Sequence, residues 1–233
     1  MSKDSFHLND LINVYGPPDV LIDNHILKEY GYAIWGFEET FKHNLNGVYI
    51  NEECIDKDPF EALQGFIDSS IPCNNEIACC GFLSYDIKNI IYPHIKFKKL
   101  KSNFPLSWFA KPKVIKPYLI HEPLDIGKQH FLSLSKDIHD ISTYKKKIDL
   151  IKHELKNGNA YQVNFTMEKL FNYYEDSFMM YLSLREIAKP DYGFYINIGE
   201  EQILSFSPEQ FFHTNSSIIQ TFPMKGTQSR SSD

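Results

Sequence analysis

Tyr192-Gly193-Phe194-Tyr195-Ile196-Asn197-Ile198-Gly199-Glu200-Glu201-Gln202-Ile203-Leu204-Ser205-Phe206-Ser207 decides how the chain is read. Two apolar runs flank a Gly199-Glu200 turn, which predicts an antiparallel hairpin. A helix is predicted just upstream. Asp176 or Ser177 caps it, Phe178, Tyr181, Leu182, Leu184 and Ile187 recur along it, and Pro190 stops it. Downstream, Gln210 to His213 and Ile218 to Phe222 flank Thr214-Asn215-Ser216-Ser217, a second predicted hairpin. Helix followed by hairpins implies an α+β fold: antiparallel β-sheets with flanking helices, not a doubly wound parallel sheet.

The preceding region is equally legible. Ser142 caps a predicted helix to about Asn157, with Tyr144, Ile148, Ile151 and Leu155 on one face and Gly158 at its end. Tyr161, Val163, Phe165 and Met167 then alternate with Gln162, Asn164 and Thr166, predicting a strand. Its polar side faces either solvent or a wet cavity. Near the start, Ala33 to Phe37, Gly47 to Ile50 and Ile77 to Tyr85 are predicted strands. Asp58-Pro59 opens a helix through Phe60, Leu63, Phe66 and Ile67. Residues 99–123, rich in lysine and proline, are expected to be a connector with one extended piece, Val114 to Ile120. Two regions result, 1–130 and 131–233.

Composition excludes several functions. The 233 residues carry a net charge of −6, which argues against a nucleic-acid partner. No apolar run is long enough to span a membrane and no secretory leader opens the chain, so a cytoplasmic location is expected. Cys54, Cys73, Cys79 and Cys80 have no metal or redox spacing, so reduced thiols are expected. No Gly-x-Gly-x-x-Gly follows a strand, so a dinucleotide site has no support.

Phe222-Pro223-Met224-Lys225-Gly226-Thr227 carries the chemistry. Lysine followed by glycine sets an amine beside an uncovered backbone, which suits a small ligand, although a surface turn lysine has the same appearance. If the last hairpin turns between Asn215 and Ser216, Glu209 lies opposite Phe222. Lys225 is then three residues further, roughly 10 Å along the strand. The carboxyl and amine then meet either at the rim of a shared cavity or as a surface ion pair contributing about 0–1 kcal/mol.

These residues carry a resemblance. Asn157-Gly158-Asn159-Ala160-Tyr161-Gln162-Val163-Asn164 resembles the Gly-Asp-x-Tyr-Gln-Val-Asn stretch of chorismate-utilising enzymes. Ser207-Pro208-Glu209 and Pro223-Met224-Lys225-Gly226-Thr227 resemble two further segments, and Gly81-Phe82-Leu83-Ser84-Tyr85-Asp86 a weaker one. Lysine at 225 resembles the aminodeoxychorismate synthase component I branch; the anthranilate synthase branch usually carries alanine there and stays the alternative. The resemblance implies chorismate as substrate, Lys225 as nucleophile, Glu209 as general acid, and Gly226, Thr227 and Gln162 as substrate-binding groups. It implies Mg2+ as cofactor and ammonia delivered by a glutamine amidotransferase subunit. The family's metal-binding glutamates lie beyond the lysine motif, so no metal ligand is expected in this chain. Asn159, Ser229 and Ser231 depart from the family pattern. The chain is therefore expected to be the front part of the domain and inactive alone, with an unfinished sheet and exposed apolar surface; a non-catalytic fragment or partner-binding remnant is the other alternative. Arg185, on an amphipathic helix, and Arg230 are its only arginines, so the anchors for a dianion are expected elsewhere.

Overall fold

The computed structural model describes residues 6–24, 30–70, 77–97, 103–120, 132–134, 141–174, 176–215 and 217–224. By contacts the chain divides into two compact units. One holds Met1–Leu124 with Tyr181–Asp233, the other Asp125–Met180. Residues 181–233 thus group with the N-terminal region, whereas the sequence places them with residues 131–180.

The first unit is built on an eight-stranded sheet. Its spine is β2 (Tyr30–Asn44), which pairs antiparallel with β6 (Ser107–Leu119) along nearly its whole length. On the other edge of β2, β1 (Val20–Asn24) pairs at Tyr32 to Ile34 and β3 (Gly47–Ile50) at Phe41 to Asn44. The handover falls at a bulge between Phe37 and Glu39. Gly36 supplies a positive φ of 66° there, and its N–H donates to Asp19 Oδ2 at 2.7 Å. β4 (Glu53–Ile55) extends the β3 edge and β5 (Cys80–Leu83) covers part of β6. β9 (Tyr192–Asn197) pairs with β1, and β10 (Gln202–Ser207) pairs with β9. The expected hairpin around Gly199 therefore exists and carries the sheet's outer edge.

β6 contains the expected extended piece from Val114 and lengthens it back to Ser107, where a connector was expected. Thirteen residues form a strand, although Pro112 and Pro117 lie inside it. Proline removes a ladder donor, so sheets accept it at bulges and along edges. Pro112 stands opposite Phe37 at the bulge, and beyond Ala110 the outer side of β6 has no partner strand among the described residues.

Two core clusters hold this unit. Val20, Ile34, Cys80, Trp108, Ala110 and Ile196 pack together beneath β1, β2 and β9. Phe41, Val48, Ala62 and Phe66 form the second, where α2 (Pro59–Asp68) covers the sheet. In sequence α2 lies between α1 (Leu8–Tyr15) and the single-turn α3 (Lys88–Ile91). Each fully buried large apolar side chain contributes on the order of 1.5–3 kcal/mol. α2 starts as its sequence requires: Asp58 accepts from the backbone N–H groups of Phe60 and Glu61. Burial pushes the Cys80 thiol up to about 12, as befits an inert core cysteine.

The second unit contains α4 (Ile141–Lys156) and a short ladder of β7 (Leu132–Leu134) with β8 (Phe171–Tyr173). α4 falls where its periodicity predicts, and Tyr144 packs against Phe165 with ring centres 5.9 Å apart. α5 (Ser177–Ala188) begins in this unit and continues into the first. Asp176 caps it by accepting from Phe178 and Met179 N–H groups. Among the described residues no helix is long and apolar enough to cross a membrane.

Candidate functional site

Glu209 follows directly from the β9–β10 hairpin. Asn197 accepts from the Gly199 N–H at 3.0 Å, and Gly199 takes a φ of 98°, so the turn is locally specified. β10 ends at Ser207, and Pro208, which has no N–H to donate, prevents the ladder from continuing. The Ser207 hydroxyl accepts from the Glu209 N–H at 3.2 Å and donates to the Glu209 carbonyl at 2.9 Å, closing a small loop. Glu209 itself is exposed.

The following hairpin differs from expectation by two residues in register. β11 (His213–Asn215) and β12 (Ile218–Gln220) pair His213 with Gln220 and Asn215 with Ile218. Carried outward, this register sets Glu209 opposite Met224, not Phe222. The ladder stops at His213 and Gln220, so that alignment is not a paired one. Lys225, Gly226 and Thr227 lie outside the described residues, as does Arg230.

The predicted strand at Tyr161 to Met167 is not formed. Residues 161–170 carry no ladder, and Tyr161, expected on the inner side, is 100% exposed. Alternation specifies two faces but not a partner, and no described strand pairs with this one. Gln162 is exposed in this segment and belongs to the second compact unit, whereas Glu209 belongs to the first.

The most heavily buried polar constellation was missed by sequence reasoning. Asp23 on β1 is 0% exposed, and Arg185 on α5 is 3% exposed. The Tyr118 hydroxyl donates to one Asp23 oxygen, and the Tyr181 hydroxyl donates to the other at 2.6 Å. Arg185 Nη1 lies 3.5 and 3.4 Å from the two oxygens. Burial first, then the Asp23 charge, drives both phenols above their ordinary range. Burial opposes the Arg185 charge, but Asp23 and then the phenols outweigh it and hold its pKa up. Arg185 is thus neutralised internally by Asp23 and buried away from solvent. The available signal was slight: an acid directly after the apolar run Val20-Leu21-Ile22, with Asp19 on its other side.

An open groove of about 530 Å³ lies at the β2–β3 turn, lined by His43, Cys54, Asp56, Lys57, Ile90 and other residues. No predicted site residue lines it. His43 is buried there, and its Nδ1 has no hydrogen-bond partner. Among the described residues no group of three or more His, Cys, Asp or Glu could hold a metal ion.

The chorismate binding enzyme family matches residues 22–233. Anthranilate synthase component 1 of Saccharolobus solfataricus is 24% identical over 196 residues, spanning 77% of this chain and 47% of that protein. Aminodeoxychorismate synthase component 1 of Escherichia coli is 32% identical over 90 residues, spanning 39% of this chain and 20% of that protein. Among solved structures, anthranilate synthase component I from Streptococcus pneumoniae shares the fold at a TM-score of 0.65 and 16% identity, over 84% of this chain and 54% of that one. The chain thus spans about half the length, or less, of these relatives.

Proposed function

The chain belongs to the family of chorismate binding enzymes, and on that premise we propose that it is an aminodeoxychorismate synthase component I. In this reading it serves the replacement of a chorismate hydroxyl by an amine, giving 4-amino-4-deoxychorismate for p-aminobenzoate and folate synthesis. The observation that carries it is the lysine at position 225, between Pro223-Met224 and Gly226-Thr227, downstream of Ser207-Pro208-Glu209.

The chemistry asks two things of these residues. Hydroxide leaves poorly, so Glu209 delivers a proton and the hydroxyl departs as water. The Lys225 amine gives its lone pair to the ring as that bond breaks, and ammonia then displaces the lysine and restores its amine. Two displacements replace one, which is covalent catalysis. Lysine attacks only when neutral, so a pKa lowered from about 10.4 to about 7–8 recovers roughly 3–5 kcal/mol. Gly226, Thr227 and Gln162 would hold the polar groups of the substrate. An amidotransferase subunit would supply the ammonia, a reading supported by relatives named as component 1.

Anthranilate synthase component I is the second reading, favoured by the longer alignment with the Saccharolobus solfataricus protein. Product identity separates the two. The chain is supplied with chorismate, ammonium and Mg2+, alone and with a separately produced C-terminal half of the Escherichia coli relative. We expect 4-amino-4-deoxychorismate only with the added half, and its loss in K225A. Anthranilate as product would establish the second reading. No product in either mixture would leave a partner-binding remnant as the reading.

A further inference from the structure

We propose that Tyr181, held by Asp23, is a positioning residue for the segment that carries Glu209. The inference deepens the proposed function, because it rests on Glu209 being the proton donor. Glu209 emerges from β10, which pairs only with β9 among the described residues and so is anchored from one side. Near its start β10 is held by Ile203, which packs against the first core cluster; near its end a further restraint is the Tyr181 ring. That ring stacks on Phe206 with centres 5.2 Å apart and planes 19° from parallel. It also lies against Tyr195 on β9 at 5.8 Å. Phe206 is the register partner of Gly193. A Cβ at Gly193 would stand 2.5 Å from the Tyr181 oxygen, so only glycine leaves a path for the hydroxyl to reach Asp23.

The chain of restraint is continuous. Arg185 and Tyr118 fix the Asp23 carboxylate, Asp23 fixes the Tyr181 hydroxyl at 2.6 Å, and the Tyr181 ring fixes Phe206. One residue later, the Ser207 hydroxyl bonds both the N–H and the carbonyl of Glu209. A fully buried charged group thus sets the end of an edge strand, and that end carries the candidate acid.

Hydrogen exchange read by mass spectrometry on the full chain tests this without requiring activity. Y181F keeps the ring and loses the bond to Asp23. F206L loses the stack and keeps that bond, and F206Y retains an aromatic ring there. We expect exchange in the peptide covering residues 202–210 to rise about tenfold or more in Y181F and F206L, and to stay near wild type in F206Y. In the same samples the peptide covering residues 33–41 should change less than threefold. Equal acceleration of both peptides would reduce Tyr181 to a general stabiliser and overturn the inference, as would unchanged exchange in residues 202–210. Either result leaves the product assay intact, and failure of that assay leaves this measurement interpretable.

Discussion

Replacing Asp23 by asparagine keeps the shape of the buried cluster and removes one charge. In the wild type the carboxylate accepts from two phenols and faces Arg185 at 3.4 and 3.5 Å. In D23N the guanidinium stays buried. Among the described residues its remaining carboxylate is Glu186 at 3.6 Å, whose side chain is 46% exposed. Breaking one side of a buried ion pair costs roughly 3–5 kcal/mol. The 3.4 Å separation is longer than the roughly 2.7–2.9 Å of a strong charge-assisted bond, so the low end, about 3 kcal/mol, is expected. Urea unfolding followed by tryptophan fluorescence reads this unit selectively, since both tryptophans, Trp35 and Trp108, belong to it. With a slope of about 1–3 kcal/mol per molar urea, the midpoint should fall by about 1 M or more. D23N/R185M removes both charges and should cost less than the two single changes together, with a coupling of about 2 kcal/mol. A loss below about 1 kcal/mol in D23N, or strict additivity in the double variant, would refute the assignment of Asp23 and Arg185 as a coupled buried pair.

Other outcomes follow from the same geometry. G193A should destabilise the first unit by about 1–3 kcal/mol through overpacking against the Tyr181 hydroxyl, and G193A/Y181F should recover part of that loss in the same urea assay. Burial lowers the His43 pKa against the opposing charge of Asp58, so the unfolded chain binds more protons below its own pKa of about 6.5. Stability should fall as pH drops through that value, and H43N should show a smaller fall between pH 7.5 and 5.5. Tyr118 and Tyr181 have raised pKa values, so their contribution is complete below about pH 10 and is lost as pH rises above it. Ultraviolet titration should show two tyrosines ionising only with alkaline unfolding. Phe211, Ile219 and Phe222 are 85%, 76% and 64% exposed, and the chain should associate at high concentration and bind an apolar dye. F211S/I219S should reduce both, and a dye-silent monomer in the wild type would contradict the expectation.

Local signals carried most of the fold. Asp58-Pro59 fixes the start of α2 because a cap acts within three residues, and Asp176 does the same for α5. Gly199 fixes the β9–β10 hairpin by its positive φ. What failed required a partner distant in sequence. Residues 107–119 look like a proline-rich connector until β2 is brought alongside, and Tyr161 to Met167 look like a strand although no described strand receives them. Composition alone gives no register, so the last hairpin was set two residues off. The candidate site divides in the same way. Its motif residues are legible because Ser-Pro-Glu and Lys-Gly-Thr are contiguous in sequence. Asp23 and Arg185 are 162 positions apart, and neither has a neighbour that betrays the other. Yet β1 pairs with β9 through Asp23 opposite Gly193, and Gly193 is opposite Phe206 on β10. The acid hidden in the N-terminal strand is therefore tied to Phe206 by one row across the sheet, and the exposed Glu209 follows three residues later, past the end of β10. Any change that frees Asp23 from Tyr181 should be felt first at Phe206 and Ser207, before the core beneath β1 and β2 loosens.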